Sequence, residues 1–185
     1  MIEDVLKEAE SRMGKAVEAL REDFKAIRTG RASPALVERI RVDYYGTPTP
    51  LNQLAAISAP EPRLLVIRPW DPSSVSEVEK AILKSDLGLT PNSDGNIIRL
   101  PIPRLTEERR KELSKVVARR GEEGHIAIRN IRRDLQEDLR ELEKEKLITE
   151  DELEKARERL QGLHDKYVAQ LDVVSKAKQQ DLMEV

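Results

Sequence analysis

The chain has 185 residues, a mass of 21.1 kDa and a formal net charge of −2. Charged residues make up 37% and aromatics only 3%, and cysteine is absent, which excludes a disulfide framework, a thiolate metal site and a cysteine nucleophile. Only His125 and His164 are present, so a multi-histidine metal site is excluded as well. No apolar run approaches the roughly 20 residues of a membrane span, and the acidic start Met1-Ile2-Glu3-Asp4 fits neither a signal peptide nor a transit peptide, so a soluble cytosolic protein is expected.

All ten prolines fall between Pro34 and Pro103. Proline lacks an amide N–H and clashes with the preceding helical turn, so the flanking stretches are where long helices are expected. The first helix is expected over about 3–29. Leu6, Ala9, Met13, Ala16, Leu20 and Ile27 form a heptad stripe, Phe24 widens it, Asp23 interrupts it and Thr29-Gly30 ends it.

The proline-rich segment reads as a small α+β domain. Ile40, Val42 and Tyr44 alternate with Arg39, Arg41 and Asp43 as in a half-buried strand. Tyr45 to Pro48 is a turn, and 54–58 and 64–68 are further strands. Asp71-Pro72 caps a short helix carrying Val75, Val78 and Ile82 and stopped by Gly88. Pro91 to Gly95 is a turn before a last strand at 96–100. Tyr44, Tyr45 and Trp70 are read as core or rim of this domain.

Thr106 with Glu107 and Glu108 opens a second long helix, striped by Leu113, Val117, Ile128, Ile131, Leu135 and Leu142. Gly121 and Gly124 lie on that stripe and should thin or bend the helix. After a turn at Lys144 to Ile148, Thr149 and Glu152 form a capping box for a third helix. Its stripe is Leu153, Ala156, Leu160, Leu163, Tyr167, Leu171 and Val174. One apolar stripe per helix predicts an elongated three-helix bundle, residues 1–30 with 105–185. Residues 31–104 form the insert, hinged at Gly30-Arg31 and Pro103-Arg104.

The net charge conceals an asymmetry. Residues 109–133 carry nine Lys/Arg against three Asp/Glu, whereas 134–185 carry nine against fifteen, so +6 is followed by −6. Arg129, Arg132 and Arg133 share one flank of the second helix at i, i+3 and i+4, with Arg132 nearest the apolar stripe. Lys25, Arg28 and Arg31 end the first helical segment, and Arg109, Arg110, Lys111, Arg119 and Arg120 add charge along the second. Arginine suits phosphate because its planar fork binds two oxygens and stays charged. The competing reading is a solvated helix face, with Arg129 paired to Asp134 or Glu122. Scarce aromatics provide no stacking platform, so any RNA contact should read the backbone. No phosphate loop, dinucleotide fingerprint or nucleophile motif is present, and both histidines read as solvent-exposed or satisfied.

Five motifs then carry a family resemblance: Ile27-Arg28-Thr29-Gly30-Arg31-Ala32-Ser33-Pro34, Tyr44-Tyr45-Gly46-Thr47-Pro48-Thr49-Pro50-Leu51, Ser85-Asp86-Leu87-Gly88-Leu89, Leu105-Thr106-Glu107-Glu108-Arg109-Arg110-Lys111 and Arg129-Asn130-Ile131-Arg132-Arg133-Asp134. In this order, over the whole chain, they resemble the bacterial ribosome recycling factors. The resemblance implies an L-shaped, tRNA-like α+β protein with an inserted β/α/β domain, cytoplasmic and monomeric, with no cofactor and no membrane contact. It implies a translation factor that is not an enzyme. Such a factor binds the post-termination ribosome over the A and P sites of the large ribosomal half. With elongation factor G and GTP it then splits the ribosome into subunits, releasing mRNA and tRNA. By residue match the family's contacts to large-subunit rRNA phosphates fall on Arg28, Arg31, Arg110, Arg129, Arg132 and Arg133, while His125 stands where a basic residue is expected. The runner-up reading is a coiled-coil-like structural or chaperone module that binds protein through its helical faces.

Overall fold

The computed structural model describes residues 1–184. Among these residues four α-helices and six strands follow in the order α1 (Ile2–Lys25), β1 (Arg41–Tyr44), β2 (Thr47–Pro50), β3 (Ala55–Glu61), β4 (Leu64–Pro69), α2 (Val75–Lys84), β5 (Asn92–Asp94), β6 (Ile97–Pro101), α3 (Glu107–Lys144) and α4 (Glu150–Met183). They form two compact units. One holds residues 1–24 and 111–180, the other residues 25–110 and the C-terminal residues from Asp181.

In the first unit, α1, α3 and α4 each bury one stripe. On α1 the buried residues are Leu6, Ala9, Met13, Val17, Leu20 and Phe24. From 6 to 24 is 18 residues in five steps, or 3.6 per turn, the period of a straight α-helix. A heptad counts 3.5 and drifts about 20° per repeat, which is why it selects Ala16 and Asp23 where the structure buries Val17 and Phe24. The same drift puts Leu139, not Leu142, in the α3 stripe. α1 also stops at Lys25, four residues short of the expected end. The chain beyond it is held by the second unit, where the Ala32 amide donates to the Pro62 carbonyl and Arg28 donates to the Pro103 carbonyl.

Side-chain pairs fix the bundle's register. Asp23 with Arg120 and Arg12 with Asp134 run α1 antiparallel to α3. Ser114 with Gln179, His125 with Asp172 and Arg132 with Gln161 run α3 antiparallel to α4. Glu3 with Arg159, and Gly14 against the Tyr167 ring, set α1 parallel to α4. The helices start where their caps dictate. The Arg109 amide donates to Thr106 Oγ1 at 3.1 Å, and Thr149 and Glu152 exchange bonds of 3.2 and 3.1 Å. A cap of this kind is worth about 1 kcal/mol.

α3 runs unbroken through Gly121 and Gly124. A Cβ at Gly121 would lie 2.9 Å from Ser175 Oγ, and one at Gly124 would lie 3.3 Å from both Leu171 methyls. The two glycines thin the helix so that α4 can approach.

The second unit is built on a four-stranded antiparallel sheet of order β3-β4-β6-β5, with α2 against β1 and β6 and a separate β1-β2 hairpin. Leu36, Val42, Leu51, Leu65, Ile67, Val78, Ile82, Ile98 and Leu100 form its core. Each fully buried side chain of this size contributes about 1.5–3 kcal/mol. Asp71 caps the turn that leads into α2, accepting from the Ser73 amide at 3.0 Å.

Two segments differ from expectation here. Residues 92–94, read as part of a turn, pair with β6 as an edge strand, and the turn narrows to Gly95-Asn96 with Gly95 at φ +64°. A short polar edge needs only backbone pairing, so it leaves no apolar signature. The β1-β2 turn likewise narrows to Tyr45-Gly46, at φ +51° and +81°, with Thr47 and Pro48 already in β2. Tyr44 is half-buried, whereas Tyr45 and Trp70 are 78% and 66% exposed and belong to the rim.

The C-terminal residues, assigned to the bundle by sequence, group instead with the second unit. Leu182 is buried, and Glu184 pairs with Arg31 at 3.0 Å. No helix among the described residues is long and apolar enough to cross a membrane.

Candidate nucleic-acid interface

The six arginines expected to meet phosphate divide between the units. Arg129, Arg132 and Arg133 sit together on α3 in the first, and Arg28, Arg31 and Arg110 lie in the second.

The α3 trio projects from a rigid base. Ile128, Ile131 and Leu135 are buried on the same turns and fix the helix against its neighbours. Arg129 and Arg133 are exposed and have no protein partner among the described residues. The competing ion pairs do not form, because Asp134 pairs with Arg12 at 3.7 Å and Glu122 faces His125 at 3.7 Å.

Arg132 is half-buried, as its place beside the stripe requires. Its Nη1 donates to Gln161 Oε1 on α4 at 3.0 Å. Gln161 Nε2 donates in turn to Asp165 Oδ1 at 2.9 Å, and His164 Nδ1 lies 2.9 Å from the same oxygen. These contacts hold the Asp165 carboxyl below its ordinary value, with His164 the largest cause, Gln161 next and the Arg132 charge a smaller one. Sequence reading missed Gln161 and Asp165. Their signal was the spacing Gln161, His164, Asp165 at i, i+3 and i+4, which puts all three on one flank of α4.

In the second unit Arg28 is half-buried and links the segment after α1 to the segment before α3, donating Nη2 to the Pro103 carbonyl. Burial, and secondarily the neighbouring Arg109 charge, pull its guanidinium below the usual value. An arginine keeps its charge through such a shift. Arg110 is half-buried on the first turn of α3, and the Nε groups of both Arg28 and Arg110 are buried without a protein acceptor. Arg31 is occupied by Glu184, in a pair 77% and 54% exposed. An ion pair that open contributes about 0–1 kcal/mol and exchanges readily for another anion. Pro103 and Arg104 are exposed, Gly30 is half-buried, and an added Cβ at Gly30 would lie 3.8 Å from the Glu184 carbonyl.

His125 stands between acidic groups, its Nε2 2.7 Å from Asp172 Oδ1. It is satisfied within the helix pair. Among the described residues no group of His, Asp and Glu could hold a metal ion.

A sequence model described as ribosome recycling factor matches residues 20–183 of this chain. The chain belongs to the ribosome recycling factor family. Over its full length it is 57% identical to the full-length ribosome-recycling factor of Heliobacterium modesticaldum and 58% identical to that of Roseiflexus sp. strain RS-1. Its fold matches the solution structure of a ribosome recycling factor with a TM-score of 0.78 at 46% identity, covering 100% of this chain and 98% of that one. A second match, with a TM-score of 0.69 at 42% identity and complete coverage of both chains, is to models for the T. thermophilus ribosome recycling factor and the E. coli elongation factor G bound to the E. coli post-termination complex. The members of this family are translation factors.

Proposed function

We propose that this chain recycles ribosomes: it binds the post-termination ribosome over the A and P sites of the large ribosomal half and, with elongation factor G and GTP, separates the subunits so that mRNA and tRNA leave. It works in the cytoplasm as a monomer, and the GTPase chemistry belongs to its partner. Arg28, Arg31, Arg110, Arg129, Arg132 and Arg133 hold large-subunit rRNA phosphates. The bundle is the ribosome-binding arm, and the proline-rich insert is the arm that moves, about Gly30-Arg31 and Pro103-Arg104.

The observation that carries the phosphate contact is the α3 trio on its buried base. Two of its guanidinium groups have no protein partner among the described residues, and the third keeps its Nε and Nη2 unpartnered after Nη1 is taken. Nε and Nη2 make one edge of the fork, the edge that meets two phosphate oxygens at once.

The test is sedimentation binding to post-termination ribosomes across a salt series. If about three phosphates are neutralised, the slope of log affinity against log salt is roughly −2 to −3. Arg132→Ala should weaken binding strongly with helicity unchanged. An affinity independent of salt, or normal binding by that variant, refutes phosphate recognition.

A further inference from the structure

As read from sequence, the phosphate contact belongs to Arg28 and Arg31 after α1 and to α3. We propose that α4 supplies a further part of it: Gln161, seated by Asp165, is a positioning residue that fixes the pose of the Arg132 guanidinium. The inference rests on the ribosome-binding reading and adds to it a residue that itself touches no phosphate.

Three observations converge. Gln161 is exposed on the flank of α4 that faces α3, yet both ends of its amide are engaged. Its oxygen accepts from Arg132 Nη1 at 3.0 Å, and its nitrogen donates to Asp165 Oδ1 at 2.9 Å. Those two partners also settle the amide's orientation, since a guanidinium only donates and a carboxylate only accepts. Arg132 is in turn the one member of the trio with a partner, while Arg129 and Arg133 have none among the described residues.

The physical consequence concerns entropy and direction. An arginine side chain carries about 2 kcal/mol of rotamer entropy, which an unrestrained side chain loses on binding. Holding Nη1 moves part of that loss into folding. It leaves the Nε–Nη2 edge as the one turned away from the protein partner. A neutral amide does this without cancelling the charge, as a carboxylate at 161 would. Asp165 orients the amide from behind, and its Oδ1 also faces His164 Nδ1 on the same turn of α4.

The experiment is a double-mutant cycle on the full chain, read as the dissociation constant for purified post-termination ribosomes. Gln161→Ala should weaken binding about tenfold in the wild-type background, within the range for contacting residues, and change nothing in the Arg132→Ala background. A structural role would not produce that coupling. Gln161→Glu keeps the acceptor for Arg132 but adds a charge beside the phosphate and beside Asp165. Its loss should exceed that of Gln161→Ala at low salt and converge on it as salt screens the charge. Equal losses in both Arg132 backgrounds, or no loss on Gln161→Ala, overturn the proposal. Failure of the wild-type chain to bind ribosomes at all is a different result: it removes the ribosome-binding reading itself.

Discussion

Gly124 and Gly162 lie on long helices in opposite surroundings, and replacing each with alanine separates helix propensity from packing. In a helix interior, Gly→Ala gains about 1 kcal/mol because alanine loses less backbone freedom on folding. At Gly162 on α4 nothing stands within 4 Å of the new methyl, so the full gain of about 1 kcal/mol is expected. At Gly124 the methyl meets Leu171 Cδ1 and Cδ2, each at 3.3 Å. Leu171 is fully buried, so it cannot swing away into solvent. Overpacking of this kind costs about 1–3 kcal/mol, which cancels or exceeds the propensity gain. The predicted outcome is a rise in the urea midpoint for Gly162→Ala, and no rise or a fall for Gly124→Ala, at unchanged m-value. Equal stabilisation by both would refute the argument that Gly124 exists to admit α4.

Other expectations follow from single contacts. Thr149→Ala removes Oγ1, the acceptor of the Glu152 amide, and keeps the backbone amide that donates to Glu152 Oε1, so stability should fall by about 1 kcal/mol in denaturant titration. Asp71 accepts from the Ser73 hydroxyl and amide and from the Tyr44 and Tyr45 hydroxyls, which lower its carboxyl from the ordinary value, with Ser73 the largest cause. A depressed folded value means that the stabilisation is present above the unfolded value of about 3.9 and is lost as pH falls through the folded one. Asp71→Asn should therefore flatten the acid limb of the stability curve, and NMR titration of Asp71 should give a midpoint below that of an unfolded aspartate. Arg129→Ala and Arg133→Ala each remove an exposed side chain with no partner among the described residues, so stability should change by less than about 0.5 kcal/mol while ribosome affinity falls. Oxidation of a disulfide engineered across the hinge, with one cysteine in the bundle and one in the insert, should slow splitting; an unchanged rate would remove the hinge from the mechanism.

What the sequence revealed depended on which force wrote each element. Proline confinement and capping residues are local chemistry, and both Thr106 and Thr149 stand at helix starts as expected. The stripes were legible as stripes, but the heptad misplaced Val17 and Leu139, because a period of 3.5 and one of 3.6 diverge only over several turns. β5 was hidden because Asn92, Ser93 and Asp94 carry turn residues into a backbone-only pairing. The end of α1 was set by contacts of residues 28–32 with residues far along the chain, which no local pattern records. At the candidate interface, the arginine spacing showed the trio but not its support. Gln161 and Asp165 lie on a different helix, and only the antiparallel register of α3 and α4 brings them to Arg132.

The chain and its GTPase partner together are expected to separate ribosomal subunits. Light scattering from purified post-termination ribosomes measures this directly. The chain, elongation factor G and GTP together should produce a rapid fall in scattering, and omission of any one should abolish it. Splitting that proceeds at the same rate without the chain, or none with all three present, would contradict a role for the chain in subunit separation.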